Sequence, residues 1–252
     1  MDSTRLVMSD LELDRDYHVG DIGPKVALIQ EWLCLHNINV VIDQQFGPAT
    51  LAAVRQFQTQ TGITVDGIVG PQTFGQLILP MTNALKPILP AGQTLGQLVA
   101  LYAQQHLTSR PREVGGQNKG PWVRLYMNGH DGAEWPWCAG FASYLLTQAA
   151  STLGVTLPIT PSVSCDSLAA SAKANGRFLA EASASDRTRI TPGSFFLNRR
   201  TDTDWSHTGI VLQAQSEVFQ TIEGNTNDDG SREGYDVCQR VRGYPGKDFI
   251  VI

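Results

Sequence analysis

Cys138 stands behind Trp135-Pro136-Trp137 and ahead of Phe141, Ala142 and Leu145, which repeat on one face of a helix. Proline suits a helix's first turn, so the spacing predicts a helix from about 136 to 150 with Cys138 in that turn. Free backbone N–H groups and the positive end of the helix dipole there favour a thiolate, the form a cysteine nucleophile needs. The same residues also read as a buried cysteine packed under two tryptophans. Downstream, Trp205-Ser206-His207-Thr208-Gly209-Ile210 puts His207 at the mouth of a strand. A second strand, Val218 to Glu223, follows a short polar break, and alternation points Glu223 and Asn225 to one face. Paired as a hairpin, the strands bring one of these two side chains to one nitrogen of His207 while the other meets Cys138. That is a nucleophile, a base and an orienting group.

Trp-Cys opening a helix, His-x-Gly-Ile-Val on a strand and Ile-Glu-Gly-Asn closing the next resemble, in that order, the CHAP family of cysteine, histidine-dependent amidohydrolases/peptidases. Glu113 to Pro121, rich in glycine and asparagine, resembles the approach to the nucleophile in one branch of that family. The resemblance implies a papain-like α+β fold, an antiparallel sheet packed on the nucleophile helix. It also implies cleavage of an amide bond in peptidoglycan, as an N-acetylmuramoyl-L-alanine amidase or a stem or cross-bridge endopeptidase. Cys138 is then the nucleophile, His207 the base, Glu223 and Asn225 the orienting pair, and Trp137 and Trp205 the substrate-binding candidates, with no cofactor and no metal. N–H groups at the start of the cysteine helix would hold the oxyanion, and imidazolium would protonate the leaving amine.

Other histidines compete for the base. His18, His36 and His106 are expected to be solvated, whereas His130 is near Cys138 in sequence but lies in a polar turn with no following strand to fix it. Asp131 and Glu134 are too sparsely spaced for a calcium loop, and Cys34, Cys138, Cys165 and Cys238 contain no C-x-x-C for zinc. A Cys165–Cys238 disulfide is left open.

Ahead of this region lies a repeat. Gly23-Pro24, Gly47-Pro48 and Gly70-Pro71 recur at steps of 24 and 23 residues, each followed by an apolar helical pattern. The unit is a small all-α three-helix domain. Asp43-Gln44-Gln45-Phe46-Gly47-Pro48-Ala49-Thr50 and Asp66-Gly67-Ile68-Val69-Gly70-Pro71-Gln72-Thr73, with Val54-Arg55-Gln56-Phe57-Gln58 between them, resemble the type 1 peptidoglycan-binding domain. The first copy has Gln44-Gln45 where glycine is usual in that family. Asp43 and Asp66 are expected to serve turns and caps rather than ligand.

The predicted organisation is a binding domain at 19–80, a Pro-rich linker at 81–93 and an α+β domain at 94–252. The last would carry helices at 94–103, 136–150 and 168–174, then strands at 194–198, 208–212, 218–223 and 249–252. A net charge of −5 over 252 residues argues against nucleic acid or an anionic membrane as a bulk partner, and no apolar run approaches a spanning helix. Met1 to Asp10 has no apolar core of a secretory signal, so the expectation is a monomer made in the cytoplasm and acting in the periplasm or cell wall. Delivery would be by a secretion machine, as an antibacterial effector with an immunity-protein inhibitor, or by a holin, as an endolysin. Two other functions fit: a cysteine acyltransferase of transglutaminase type, and a wall-binding adaptor without activity.

Overall fold

The computed structural model describes residues 9–181, 187–227 and 234–252. In chain order the helices are α1 (Pro24–Leu35), α2 (Pro48–Thr61), α3 (Pro71–Leu77), α4 (Leu79–Leu85), α5 (Leu95–Ser109), α6 (Pro121–Tyr126), α7 (Cys138–Leu153) and α8 (Cys165–Ala174). The strands are β1 (Phe178–Leu179), β2 (Phe195–Thr201), β3 (Asp204–Ala214), β4 (Val218–Thr226), β5 (Asp236–Gly243) and β6 (Lys247–Ile250). They divide between two compact units, Met1–Asn83 with Arg112–Glu134, and Ala84–Pro111 with Trp135–Ile252.

In the first unit, α1, α2 and α3 each begin with proline in the first turn behind a glycine N-cap, as the Gly-Pro repeat predicts. Two matched polar triads hold the repeat. Gln30 Nε2 donates to Asp43 Oδ1 (2.8 Å) and Thr50 Oγ1 (3.0 Å), and Gln58 Nε2 donates to Asp66 Oδ1 (2.8 Å) and Thr73 Oγ1 (3.1 Å). Asp43 and Asp66 also accept from the backbone N–H two residues on, each at 2.9 Å, so both aspartates close turns. Gln44 has φ 65° where the second copy has Gly67 at φ 78°. The departure from glycine thus leaves the left-handed turn in place, at a cost of about 1 kcal/mol.

Arg112–Glu134 belongs with this helical unit, although its place in the sequence put it in the α+β domain. Its attachments are long-range. Trp122 meets Trp32 edge to face at 6.5 Å, and Arg124 joins Asp10 (2.7 Å), Glu31 (2.7 Å) and Asp131 (3.0 Å). Hydrophobic burial and charge pairing over 93 residues of chain outweigh sequence proximity. The span read as a linker is not extended throughout, since α4 covers its first residues. Within 113–121, Asn118 N–H donates to Glu113 Oε2 (2.8 Å), and Asn118 Nδ2 ties the loop to Ala133 O beyond it (3.2 Å).

The second unit is a six-stranded antiparallel sheet, order β1-β6-β2-β3-β4-β5, with α5 packed on α7 and α7 on β3 and β4. A capping box starts α5: Thr94 Oγ1 accepts from Gln97 N–H, and Gln97 Oε1 accepts from Thr94 N–H. Phe141, Ala142, Leu145, Leu146 and Ala149 form the buried face of α7, which ends at Gly154 in the left-handed conformation. Phe196, Val211, Phe219, Tyr244 and Phe249 form a core cluster on the sheet. Strands β1 and β5, absent from the sequence expectation, lie at the two edges. No described helix is long and apolar enough to cross a membrane.

Candidate active site

Cys138 is the first residue of α7, with Trp137 as N-cap and Pro136 outside the helix. The expected first-turn placement holds, but Cys138 rather than proline opens the helix. Gly224 brings β4 onto this point. A Cβ there would lie 2.8 Å from Phe141 Cβ and from Trp137 Cζ3, so only glycine allows the approach.

His207, on β3, is buried and hydrogen-bonds Glu223 Oε2 through Nε2 at 2.8 Å. A carboxylate only accepts, so Nε2 carries the proton in the neutral ring and Nδ1 is left as the basic nitrogen. Nδ1 is buried with no hydrogen-bond partner among the described residues, and the Cys138 sulfur raises the proton affinity of the ring. Of the two orienting candidates, Glu223 is thus the one bonded to His207. Asn225 is fully buried with φ 55°, beside an irregularity in β4–β5 pairing between Glu223 and Thr226 that breaks the alternation assumed for it.

Glu223 is completely buried and accepts four hydrogen bonds. Besides His207, these come from Arg242 Nε (2.8 Å), Arg242 Nη2 (2.5 Å) and Thr221 Oγ1 (2.5 Å). Sequence reasoning missed Arg242, because its strand β5 is a polar edge strand with alternate residues exposed. The available signal was the alternation of Arg240, Val241 and Arg242, which sets both arginines on one face.

The charges in this cluster sustain one another. Burial would raise the Glu223 pKa, but Arg242 and then His207 outweigh it and pull it down to about 2. Burial opposes a charged His207, and the Cys138 sulfur and then Glu223 overcome it, pushing His207 up to about 9. Cys138 is held well below the usual thiol range, first by a hydrogen bond from the Cys165 thiol, against burial, then by His207 and the Thr208 N–H. The cluster favours charge on all three groups, thiolate at Cys138, imidazolium at His207 and carboxylate at Glu223, which is the combination nucleophilic cysteine chemistry needs.

Trp137 and Trp205, the substrate-binding candidates, are both buried. Trp137 packs against Gly224. Trp205 donates from Nε1 to Asp248 Oδ2 at 2.8 Å, and its ring is covered by Phe178 and the Lys173 ammonium. His106, expected in solvent, is fully buried, pushed down to about 4 by that burial, and paired with Gln148 Oε1 at 3.1 Å. His36 is half-buried with Nε2 bonded to Leu77 O at 2.8 Å. His130 is exposed and belongs to the first unit, whereas Cys138 belongs to the second. All four cysteines lie among the described residues and none is disulfide-bonded.

The family model of the peptidoglycan binding domain matches residues 22–77, so the helical repeat is a peptidoglycan-binding domain followed by an antiparallel-sheet domain. The chain is 49% identical over 47 residues to an uncharacterized protein in the bpoA1 3' region of Kitasatospora aureofaciens, covering 19% of this chain and 40% of that protein. It is 55% identical over 49 residues to a zinc D-Ala-D-Ala carboxypeptidase of Streptomyces albus G, covering 19% of each. The chain thus spans less than half the length of the curated relatives it matches. Among solved structures, a Burkholderia AP3 phage endolysin matches with a TM-score of 0.25 and 24% identity, covering 42% of this chain and 40% of that one.

Proposed function

We propose that this protein is a peptidoglycan hydrolase of CHAP type, which cleaves an amide bond of the cell wall with Cys138 as nucleophile and His207 as general base and acid. The observation that carries the reading is the fully buried Glu223, fixed by Arg242 and bonded to His207, in a unit where Cys138 opens a helix. A merely structural histidine does not need a buried, doubly ion-paired carboxylate, and a merely structural cysteine is not held below the usual thiol range. The peptidoglycan-binding domain at 22–77 supplies the substrate class.

In this mechanism the Cys138 thiolate attacks the amide carbonyl, and N–H groups at the start of α7 face the oxyanion. His207, charged in the resting state, protonates the leaving amine as the C–N bond breaks. Now neutral, it takes a proton from water, which attacks the thioester, and keeps that proton as the sulfur leaves as thiolate, so the ion pair is restored. Glu223 keeps the ring oriented with Nδ1 toward the reaction.

The test is incubation of the full-length protein with purified sacculi, followed by mass spectrometry of released fragments. New amine termini that depend on Cys138 support the reading, and the residue carrying the amine separates amidase from endopeptidase. Sacculi that bind the protein but yield no new amines would make it an adaptor instead. Amine incorporation in place of hydrolysis would mark an acyltransferase.

A further inference from the structure

We propose that Thr221 is a positioning residue for the histidine: its hydroxyl anchors one oxygen of the Glu223 carboxylate, so that the other stays aimed at His207 Nε2. The inference deepens the reading of His207 as the base and rests on it.

The Glu223 carboxylate is held in a fixed order. Arg242 donates from Nε to Oε1 (2.8 Å) and from Nη2 to Oε2 (2.5 Å), so the guanidinium fork takes one acceptor position of each oxygen. Each oxygen has one position left. His207 Nε2 fills that of Oε2 at 2.8 Å, and Thr221 Oγ1 fills that of Oε1 at 2.5 Å. A fork alone lets the carboxylate rock against the guanidinium, and rocking opens the bond to His207. Thr221 opposes that motion from the oxygen that His207 does not touch.

Strand β4 delivers the hydroxyl to that oxygen. Thr221 and Glu223 are two residues apart, on one face of the strand. Across the pair of strands Glu223 faces Cys238, Thr221 faces Arg240 and Phe219 faces Arg242, so the Arg242 side chain reaches along the sheet past Thr221 to meet Glu223. Threonine is β-branched and holds its hydroxyl in few rotamers. It is fully buried, whereas Arg242 keeps 21% of its side chain exposed, which makes Thr221 the stiffer of the two anchors. The other acceptor near the hydroxyl, Arg240 O, is 3.5 Å away, beyond the usual O–H···O range, so the single hydroxyl proton goes to Glu223. Packing at a buried strand position would be met equally well by valine. The use of the oxygen lies in this bond.

The experiment follows the proton on His207 Nε2 by NMR of the full-length protein labelled with nitrogen-15 histidine, alongside kcat and KM on soluble muropeptides. In the parent this proton should be downfield and protected from solvent, and its absence would overturn the proposal. Thr221→Val removes the hydroxyl at constant shape. Solvent exchange of the proton should then rise about tenfold and kcat fall about tenfold, with KM nearly unchanged, as for loss of one hydrogen bond to a charged group. Thr221→Ser keeps a donor and should stay closer to the parent in both. Thr221→Ala carries the same expectation as Thr221→Val should the valine variant not fold, folding being checked by the thermal transition. Unchanged exchange in a folded variant without the hydroxyl would overturn the proposal, and so would Thr221→Ser behaving like Thr221→Val. The NMR signal does not involve the wall, so failure of the parent to cleave sacculi would sink the functional reading and leave the fixing of His207 by Thr221 standing.

Discussion

Glu223 Oε2 and His207 Nε2 are 2.8 Å apart with both side chains almost wholly out of water, and the carboxylate is itself held by both arms of Arg242. A histidine fixed this way has one tautomer, one orientation and a raised proton affinity. Replacing Glu223 by glutamine removes the charge and keeps the shape. Turnover should fall by about 10²–10⁴-fold, by loss of ring orientation and imidazolium support. The alkaline limb of the pH profile should move down from about 9. Steady-state kinetics on soluble muropeptides across pH checks both.

Arg242→Met should act mainly through stability. It leaves a buried carboxylate with its strongest donor gone, a loss of about 3–5 kcal/mol, measurable by urea unfolding. In the double variant with Glu223→Gln the loss should shrink well below the sum, because the uncompensated charge is gone as well.

Stability itself should depend on pH through the same groups. Glu223 has its pKa lowered from 4.5 to about 2, so its contribution is complete above pH 4.5 and is lost as pH falls through about 2. His207 is raised from 6.5 to about 9, so its contribution is complete below pH 6.5 and is lost as pH rises through about 9. Cys138 is lowered from 9.0, so its contribution grows as pH rises toward 9.0 and offsets the loss at His207 above 6.5; denaturant midpoints should therefore rise with pH up to about 6.5 and stay level to about 9. Cys138→Ser takes away the anion that supports His207, so the alkaline loss should shift to lower pH, while hydrolysis nearly vanishes and binding to sacculi persists.

Gly224→Ala should separate packing from chemistry. The added methyl meets Phe141 and Trp137 at the start of α7, at a cost of about 1–3 kcal/mol. Displacing Cys138 from His207 in this way should lower kcat more than it raises KM. An unchanged thermal midpoint would mean that β4 and α7 separate freely.

Delivery makes the last prediction. Peptidoglycan lies outside the inner membrane, so the chain fused to an export signal should lyse a bacterial host, and its Cys138→Ser variant fused in the same way should not. Rescue by a co-expressed neighbouring gene product that binds the protein would identify an effector with its inhibitor. A neighbouring small membrane protein that triggers lysis would identify an endolysin.

The amino-acid sequence alone determined whatever depends on neighbours a few residues apart. Gly-Pro starts α1, α2 and α3, Thr94 and Ser164 cap α5 and α8, and Cys138 falls at a helix start because apolar spacing and capping are local properties of the chain. Alternation likewise located β2, β3, β4 and β6, though not the polar edge strand β5. Tertiary structure decided which side chains meet. Glu223 rather than Asn225 bonds His207, since local β regularity fails at Asn225. Arg242 completes the cluster from a strand with no apolar signature, and Arg124 draws residues 112–134 to the helical unit. Each of these rests on charge pairing or burial between residues distant in the chain, whose energy depends on the water they lose together and leaves no periodic mark in either segment.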